Sequence, residues 1–302
     1  MTRSIWDRLL PDGYRAGEYP GESLTGETVR RLSWKCLPST VLERVWRRLM
    51  VRGKRRWCFI LGVNNSGTSL LQRLLGRHSA VRTLPTEGQL LTRGLPRPAD
   101  EGVKRLWSAR PDVFRWTEDN DPSPAKRAIH DWSFRFISGS GQVLLEKSPP
   151  NTIRSRWLQE NFSDARFIAM MRHPCAVAEG IRRREGHDIR AAARHWTTAN
   201  RLLREDLPYL DRHTTVRYEE LCDDPVGTLN RLANFMGVPE RFGSDHLKGI
   251  SVHSLDDDVE TVENFNSRSF ERLSDEDLEA VASEAGALGE EFGYRVPPTD
   301  VV

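Results

Sequence analysis

The stretch that most constrains this chain runs from Trp57 to Gly76, WCFILGVNNSGTSLLQRLLG. Cys58-Phe59-Ile60-Leu61-Gly62-Val63 is a short, unbroken and partly β-branched apolar run, the pattern of a strand buried on both faces of a parallel sheet. Leu70-Leu71 and Leu74-Leu75 recur at i, i+4 and make one helical face. Between them, Asn64-Asn65-Ser66-Gly67-Thr68-Ser69 is small and rich in backbone donors. A strand, a small-residue turn and a helix start, in that order, present unpaired N–H groups at the positive end of a helix dipole. Such a turn is an anion cradle, whereas a plain capped turn would need only one of these features.

The spacing from Gly62 to Gly67 matches the G-x-x-x-x-G of a nucleotide P-loop, but Thr68-Ser69 stands where Lys-Ser/Thr is expected. Without that lysine a magnesium triphosphate loses its main charge clamp, so a smaller anionic group is expected. A P-loop kinase or NTPase is the first alternative, and a non-catalytic nucleotide-binding module the second.

The rest of the chain alternates strands and helices. Ala80–Leu84, Gln142–Glu146, Arg166–Met171 and Thr214–Tyr218 read as further strands, with helices over Cys175–Arg184, Ile189–Leu207 and from Pro225. That alternation predicts an α/β fold with a parallel sheet covered on both faces. A last helix, Ser274–Leu288, opens on the capping sequence Ser274-Asp275-Glu276-Asp277. Residues 1–56 read as an arm ending in a basic amphipathic helix over 39–56, and 57–302 as the α/β domain. The basic helix face is expected at a domain edge, with weak membrane-surface contact as its alternative.

Ligands of open α/β sheets bind at the carboxyl edge of the strands. Glu87 follows the second strand there, as a general base or as a first-turn helix acid. Lys147 follows the third, placed to neutralise developing charge or to be an ordinary surface lysine. The fourth strand ends in Arg172-His173-Pro174, where a magnesium-organising strand would end in Asp. An arginine there suits metal-free, bidentate phosphate binding. Arg182-Arg183-Arg184 either adds to that charge or forms a solvated basic turn. Asn266, Ser267 and Arg268 lie in a polar stretch expected to close over a ligand.

A net charge of +2 gives no global field for nucleic acid. Cys36, Cys58, Cys175 and Cys222 form no C-x-x-C pair, which argues against zinc and for a reducing compartment. With no signal-peptide core in MTRSIWDRLL, a cytoplasmic location is expected.

Together these residues resemble the sulfotransferases that use 3′-phosphoadenosine 5′-phosphosulfate (PAPS), in particular bacterial and tyrosylprotein-type members. Asn65-Ser66-Gly67-Thr68-Ser69 resembles their phosphosulfate loop, and Phe167–Pro174 their 3′-phosphate motif. Val216-Arg217-Tyr218-Glu219-Glu220-Leu221, Asp224-Pro225 and Phe235–Pro239 also fit. The resemblance covers about residues 57–295. It implies a three-layer, P-loop-NTPase-like α/β fold with a mainly parallel central sheet flanked by helices. It also implies sulfuryl transfer from PAPS, leaving PAP, by in-line displacement and without metal, to an acceptor hydroxyl on a small molecule, glycan or peptide, with sugar, tyrosine or other phenol, lipid and secondary metabolite all open. Residues 92–141, with several prolines and mixed charge, read from the residues themselves as a loose connection with helical pieces, expected to be a helical insertion on the acceptor side. By the same resemblance Glu87 is the base and Lys147 lies beside the sulfuryl group, while Arg172 contacts the 3′-phosphate and Tyr218 the adenine side. Two departures stand out. Asn65 replaces a basic residue, so part of the sulfuryl clamp must come from backbone, Thr68, Ser69 or Lys147. Gly180 replaces a serine, with Arg184 one helical turn further on placed to compensate. Neither the acceptor nor the oligomeric state is legible in the sequence.

Overall fold

The computed structural model describes residues 55–133, 141–238, 242–249 and 262–298. The expected basic helix lies almost wholly outside them; its last residue, Arg56, instead opens the first strand and donates to the Met236 carbonyl at 3.0 Å.

Five strands, β1 (Arg56–Leu61), β2 (Val81–Thr83), β3 (Val143–Lys147), β4 (Arg166–Met171) and β5 (His213–Arg217), form one sheet in the order β2-β3-β1-β4-β5. Every pairing is parallel. This is a three-layer, P-loop-NTPase-like α/β fold. The central strand β1 is flanked by β3, with Ile60 opposite Lys147, and by β4, with Leu61 opposite Ala169. The chain leaves β1 in one direction for β2 and β3 and in the other for β4 and β5. The carboxyl end of β1 is therefore the switch point where such sheets bind ligands.

Alternation along β1 divides the core. Cys58 and Ile60 face helix α1 (Thr68–Gly76), whose Leu70, Leu71, Leu74 and Leu75 are buried against them. Trp57, Phe59 and Leu61 face the other side, against Trp132, Trp157, Phe162 and Leu203. Each such side chain taken from water contributes about 1.5–3 kcal/mol. An unbroken apolar strand is thus the one that sits centrally, covered on both faces.

Between β2 and β3 the chain is irregular, with short helices α2 (Pro111–Phe114) and α3 (Ser123–Ser133). After β3 the chain makes a 3₁₀ turn, Pro149–Ile153, before α4 (Ser155–Asn161) begins. The Asn151 side chain is bonded to Glu146 and Arg154, which ties this turn to the sheet. Helices α5 (Pro174–Glu185) and α6 (Ile189–Asp206) follow β4. After β5 come α7 (Tyr218–Asp223), α8 (Pro225–Met236), α9 (Asn266–Phe270) and α10 (Asp275–Glu291). The cap at Ser274 forms as the sequence predicts, its hydroxyl accepting from the Asp277 N–H. Among the described residues no helix is long and apolar enough to cross a membrane.

Candidate active site

The loop after β1 turns on residues with positive φ: Gly62 at 151°, Asn65 at 66° and Gly67 at 90°. A Cβ on Gly62 would meet the Met170 carbonyl at 2.6 Å, and one on Gly67 would meet the Tyr218 ring at 2.6 Å. Only glycine fits both the turn and the close approach. The loop is braced from several directions. Ser66 Oγ donates to the Val63 carbonyl at 2.7 Å, the Gly62 N–H donates to Thr152 Oγ1 at 2.7 Å, and Trp107 Nε1 donates to Asn64 Oδ1 at 2.9 Å. Helix α1 starts at Gly67 with no side-chain cap and no acid in its first turn. By contrast Asp188, Asp224 and Ser274 accept from the first N–H groups of α6, α8 and α10. The N-terminus of α1, carrying Thr68 and Ser69, therefore has its positive end uncapped by any side chain.

At the next strand over, Lys147 is the last residue of β3 and nearly buried. Its Nζ donates to Glu87 Oε1 at 3.0 Å, and Gln89 Nε2 donates to Glu87 Oε2 at 2.8 Å. The Glu87 side chain is still 25% exposed, so it can reach an incoming group. Behind this pair lies a buried polar network. Glu146 accepts from the Gly88 N–H at 2.9 Å, from Ser148 Oγ at 2.5 Å and from Asn151 Nδ2 at 2.5 Å. Ser148 Oγ in turn accepts from the Gln89 N–H, and Trp132 Nε1 donates to the Gly88 carbonyl. The backbone on either side of Gly88 is thus pinned to β3, which sets where Glu87 sits. Burial pushes the Glu146 carboxyl up to about 7 and the nearby Arg154 guanidinium down to about 10.

Beyond β4, Arg172 stacks over the Tyr218 ring, 4.1 Å from its centroid. Its Nε donates to Asn266 Oδ1 at 2.8 Å and its Nη1 to the Asn65 carbonyl at 2.9 Å. Asn266 is held by Glu219 Oε1 at 2.7 Å, and the same oxygen accepts from the His173 N–H at 3.0 Å. Tyr218 is buried, its hydroxyl donating to the Glu263 carbonyl and accepting from the Phe265 N–H. Gly67, Arg172 and the segment before α9 therefore meet on one aromatic ring. Gly180 lies on α5 against Asn65, and half-buried Arg184 lies one turn further along. Ser267 and Arg268 are exposed on α9, where Arg268 covers the Phe265 ring and pairs with Glu263 at 3.5 Å. In the arginine triplet, Arg182 pairs with Asp277 and Arg183 with Glu179.

Several contributors carry no local signal in the sequence. Glu146 reads only as the polar end of an apolar strand, and Thr152 like any residue of a turn. Trp107 and Arg105 lie about forty residues from the loop they touch. Proline-rich, irregular surroundings were the only hint that the segment carrying them has a task.

Each strand of the sheet thus brings a polar or charged group to its carboxyl edge: the loop from β1, Glu87 after β2, Lys147 on β3, Arg172 after β4 and Tyr218 after β5. A parallel sheet with a glycine-bounded loop at its switch point and an uncapped helix behind it defines an α/β phosphate-binding protein. The sulfotransferase family model matches residues 58–242, and the chain belongs to that family. The protein-tyrosine sulfotransferase of Drosophila melanogaster is 27% identical over 193 residues, 60% of this chain and 38% of that protein. The chain thus spans less than half the length of that relative. The sulfotransferase domain of the Synechococcus PCC 7002 olefin synthase is 25% identical with a TM-score of 0.50, over 80% of this chain and 96% of that one. The sulfotransferase domain from the curacin biosynthetic pathway shares the fold at 20% identity, with a TM-score of 0.54 over 80% of this chain and 99% of that one.

Proposed function

We propose that this protein transfers the sulfuryl group of PAPS to a hydroxyl on a small-molecule, glycan or peptide acceptor. The observation that carries the reading is the Glu87–Lys147 pair at 3.0 Å, on the strand edge beside the β1 loop. It sets a carboxylate and an ammonium next to an anion cradle. The residues present fit a phosphosulfate donor. The loop is rich in donors, α1 is uncapped, and Asn65 Nδ2 is a buried donor without a partner. When bound, PAPS supplies the activated sulfuryl group and a phosphate leaving group.

The roles of the side chains follow from where they stand. Glu87 Oε1 or Oε2 takes the acceptor's hydroxyl proton, and Gln89 and the network through Glu146 hold it in place. Lys147 and the donors at the start of α1, with Thr68 and Ser69, would neutralise the negative charge that grows during transfer. Arg172, fixed by Asn266 and Tyr218, would hold a phosphate of the donor away from the reacting group, and would then act on binding more than on turnover. Asn266 belongs to that anchoring set. No step here calls on a metal: Arg172, the residue after β4, stands where a magnesium-holding strand would carry an aspartate.

Glu87→Gln tests the reading. Sulfate transfer from labelled PAPS should fall by about 10²–10⁴-fold while PAP affinity by calorimetry stays the same. Near-normal transfer by the variant would remove Glu87 from the role of base. Thermal shift separates the kinase alternative: PAP should stabilise the protein, and stabilisation by Mg-ATP alone would overturn the proposal.

A further inference from the structure

The two positions at which the chain departs from its family's motifs, Asn65 and Gly180, touch each other. A Cβ built on Gly180 would lie 2.9 Å from Asn65 Nδ2 and 3.1 Å from both Asn65 Cβ and Cγ. Those contacts are too close for any other residue at 180 unless the Asn65 side chain moves. The amide packs against bare helix backbone, in space that a side chain on α5 would otherwise fill. Its orientation is set by Arg105. Arg105 Nη1 donates to Asn65 Oδ1 at 3.4 Å, while Arg105 Nε is anchored on Glu185 Oε1 at 3.1 Å, at the end of the same helix. With Oδ1 turned to Arg105, Nδ2 is the end against Gly180, buried and without a hydrogen-bond partner. A buried amide donor with its bond unmade is destabilising unless a ligand completes it. The backbone carbonyl of the same residue accepts from Arg172 Nη1 at 2.9 Å, so the residue that carries this amide is bonded to the guanidinium read above as the phosphate anchor.

We propose that Asn65 Nδ2 donates to the phosphate held by Arg172, with Arg105 orienting the amide and the missing side chain at Gly180 giving it room. The inference rests on the PAPS reading of the site. In this chain a donor reaches the phosphate from the β1 loop, at a place where a hydroxyl on α5 would otherwise reach it. Asn65 and Gly180 are then a compensating pair and not two separate losses. Arg105 is a positioning residue carried by the segment between β2 and β3, which links donor binding to that segment's placement.

Calorimetry with PAP and with adenosine 5′-monophosphate, which lacks the 3′-phosphate, tests this on the intact protein. Asn65→Ala should weaken PAP by about tenfold to a hundredfold and leave the monophosphate within about twofold, the size of a lost bond to a charged group. Gly180→Ser should weaken PAP by displacing the amide, and Asn65→Ala combined with Gly180→Ser should bind PAP better than either single variant. Arg105→Ala should lower PAP affinity less than Asn65→Ala and, combined with it, add nothing further. Monophosphate binding shows in each case that the protein is folded. Equal losses for both ligands in Asn65→Ala, unchanged PAP affinity, or additive effects of Asn65→Ala and Gly180→Ser would each overturn the assignment. Failure of the parent protein to bind PAP at all would instead overturn the PAPS reading on which it rests.

Discussion

Two buried groups make opposite demands on the pH dependence of stability. Glu146, fully buried, has its carboxyl pushed by burial from 4.5 up to about 7. His195, nearly as buried, lies under the Trp107 ring with Nδ1 2.6 Å from Ser108 Oγ and Nε2 unpartnered. Burial lowers it from 6.5 to about 3, with His187 adding to the effect. The folded protein keeps a proton on Glu146 that the unfolded chain releases above 4.5, so that contribution is present at low pH and lost as pH rises through about 7. It excludes a proton from His195 that the unfolded chain takes up below 6.5, so that contribution is present at high pH and lost as pH falls through about 3. Between about pH 5 and pH 6 the two slopes are of opposite sign, each roughly 1 kcal/mol per pH unit, and nearly cancel. Glu146→Gln should therefore make stability rise with pH by about 1 kcal/mol per unit more steeply than in the parent. His195→Asn, which keeps a polar atom near Ser108, should tilt it by the same amount the other way, on top of a pH-independent packing loss. Urea unfolding at about pH 5, 5.5 and 6, plotted as variant minus parent, cancels every other titrating group. A flat difference for both variants would refute the assignment of these protons to these two residues.

Other perturbations test the site and its support. Gly67→Ala forces a left-handed φ on a residue with a Cβ and drives that Cβ into the Tyr218 ring. Backbone strain alone costs about 1–2 kcal/mol, so PAP affinity by calorimetry should fall at least about tenfold. Arg172→Lys loses the planar fork and the stack on Tyr218, and should weaken PAP by about tenfold to a hundredfold with a much smaller change in turnover at saturation. Equal falls in both would move Arg172 into the chemistry. Asp206→Ala removes the acceptor of two Arg115 bonds, at 2.5 and 2.6 Å, and of the Ser155 hydroxyl. It should lower unfolding stability by about 3–5 kcal/mol while the folded fraction binds PAP with parent affinity.

Patterns that depend on a few neighbouring residues were legible in the chain itself. The apolar run Cys58–Val63 marked the central strand because burial on both faces leaves no polar position. Small residues between that run and the Leu70–Leu75 face marked the turn, since a loop approached this closely by other backbone admits little else. Strand ends at Glu87, Lys147 and Arg172 could be assigned to one edge because a parallel sheet aligns all its carboxyl ends. Ser274 and the acids after it marked a helix start for an equally local reason.

Folding decided the matters that depend on contact at long range. Glu146 reads as the polar end of an apolar strand and nothing more, and its partnership with the Gly88 N–H crosses 58 positions of sequence. Trp107 and Arg105 reach the β1 loop from a segment whose own pattern shows no period. Asn65 and Gly180 look like independent losses when each is compared with a motif, because a motif is one-dimensional and cannot show that its gaps adjoin. In three dimensions they fill one space, with an amide where a side chain on α5 could have stood. Local chemistry is written in spacing and can be read from it. Complementarity between distant residues exists only once the sheet order has brought β1 and the helix after β4 side by side.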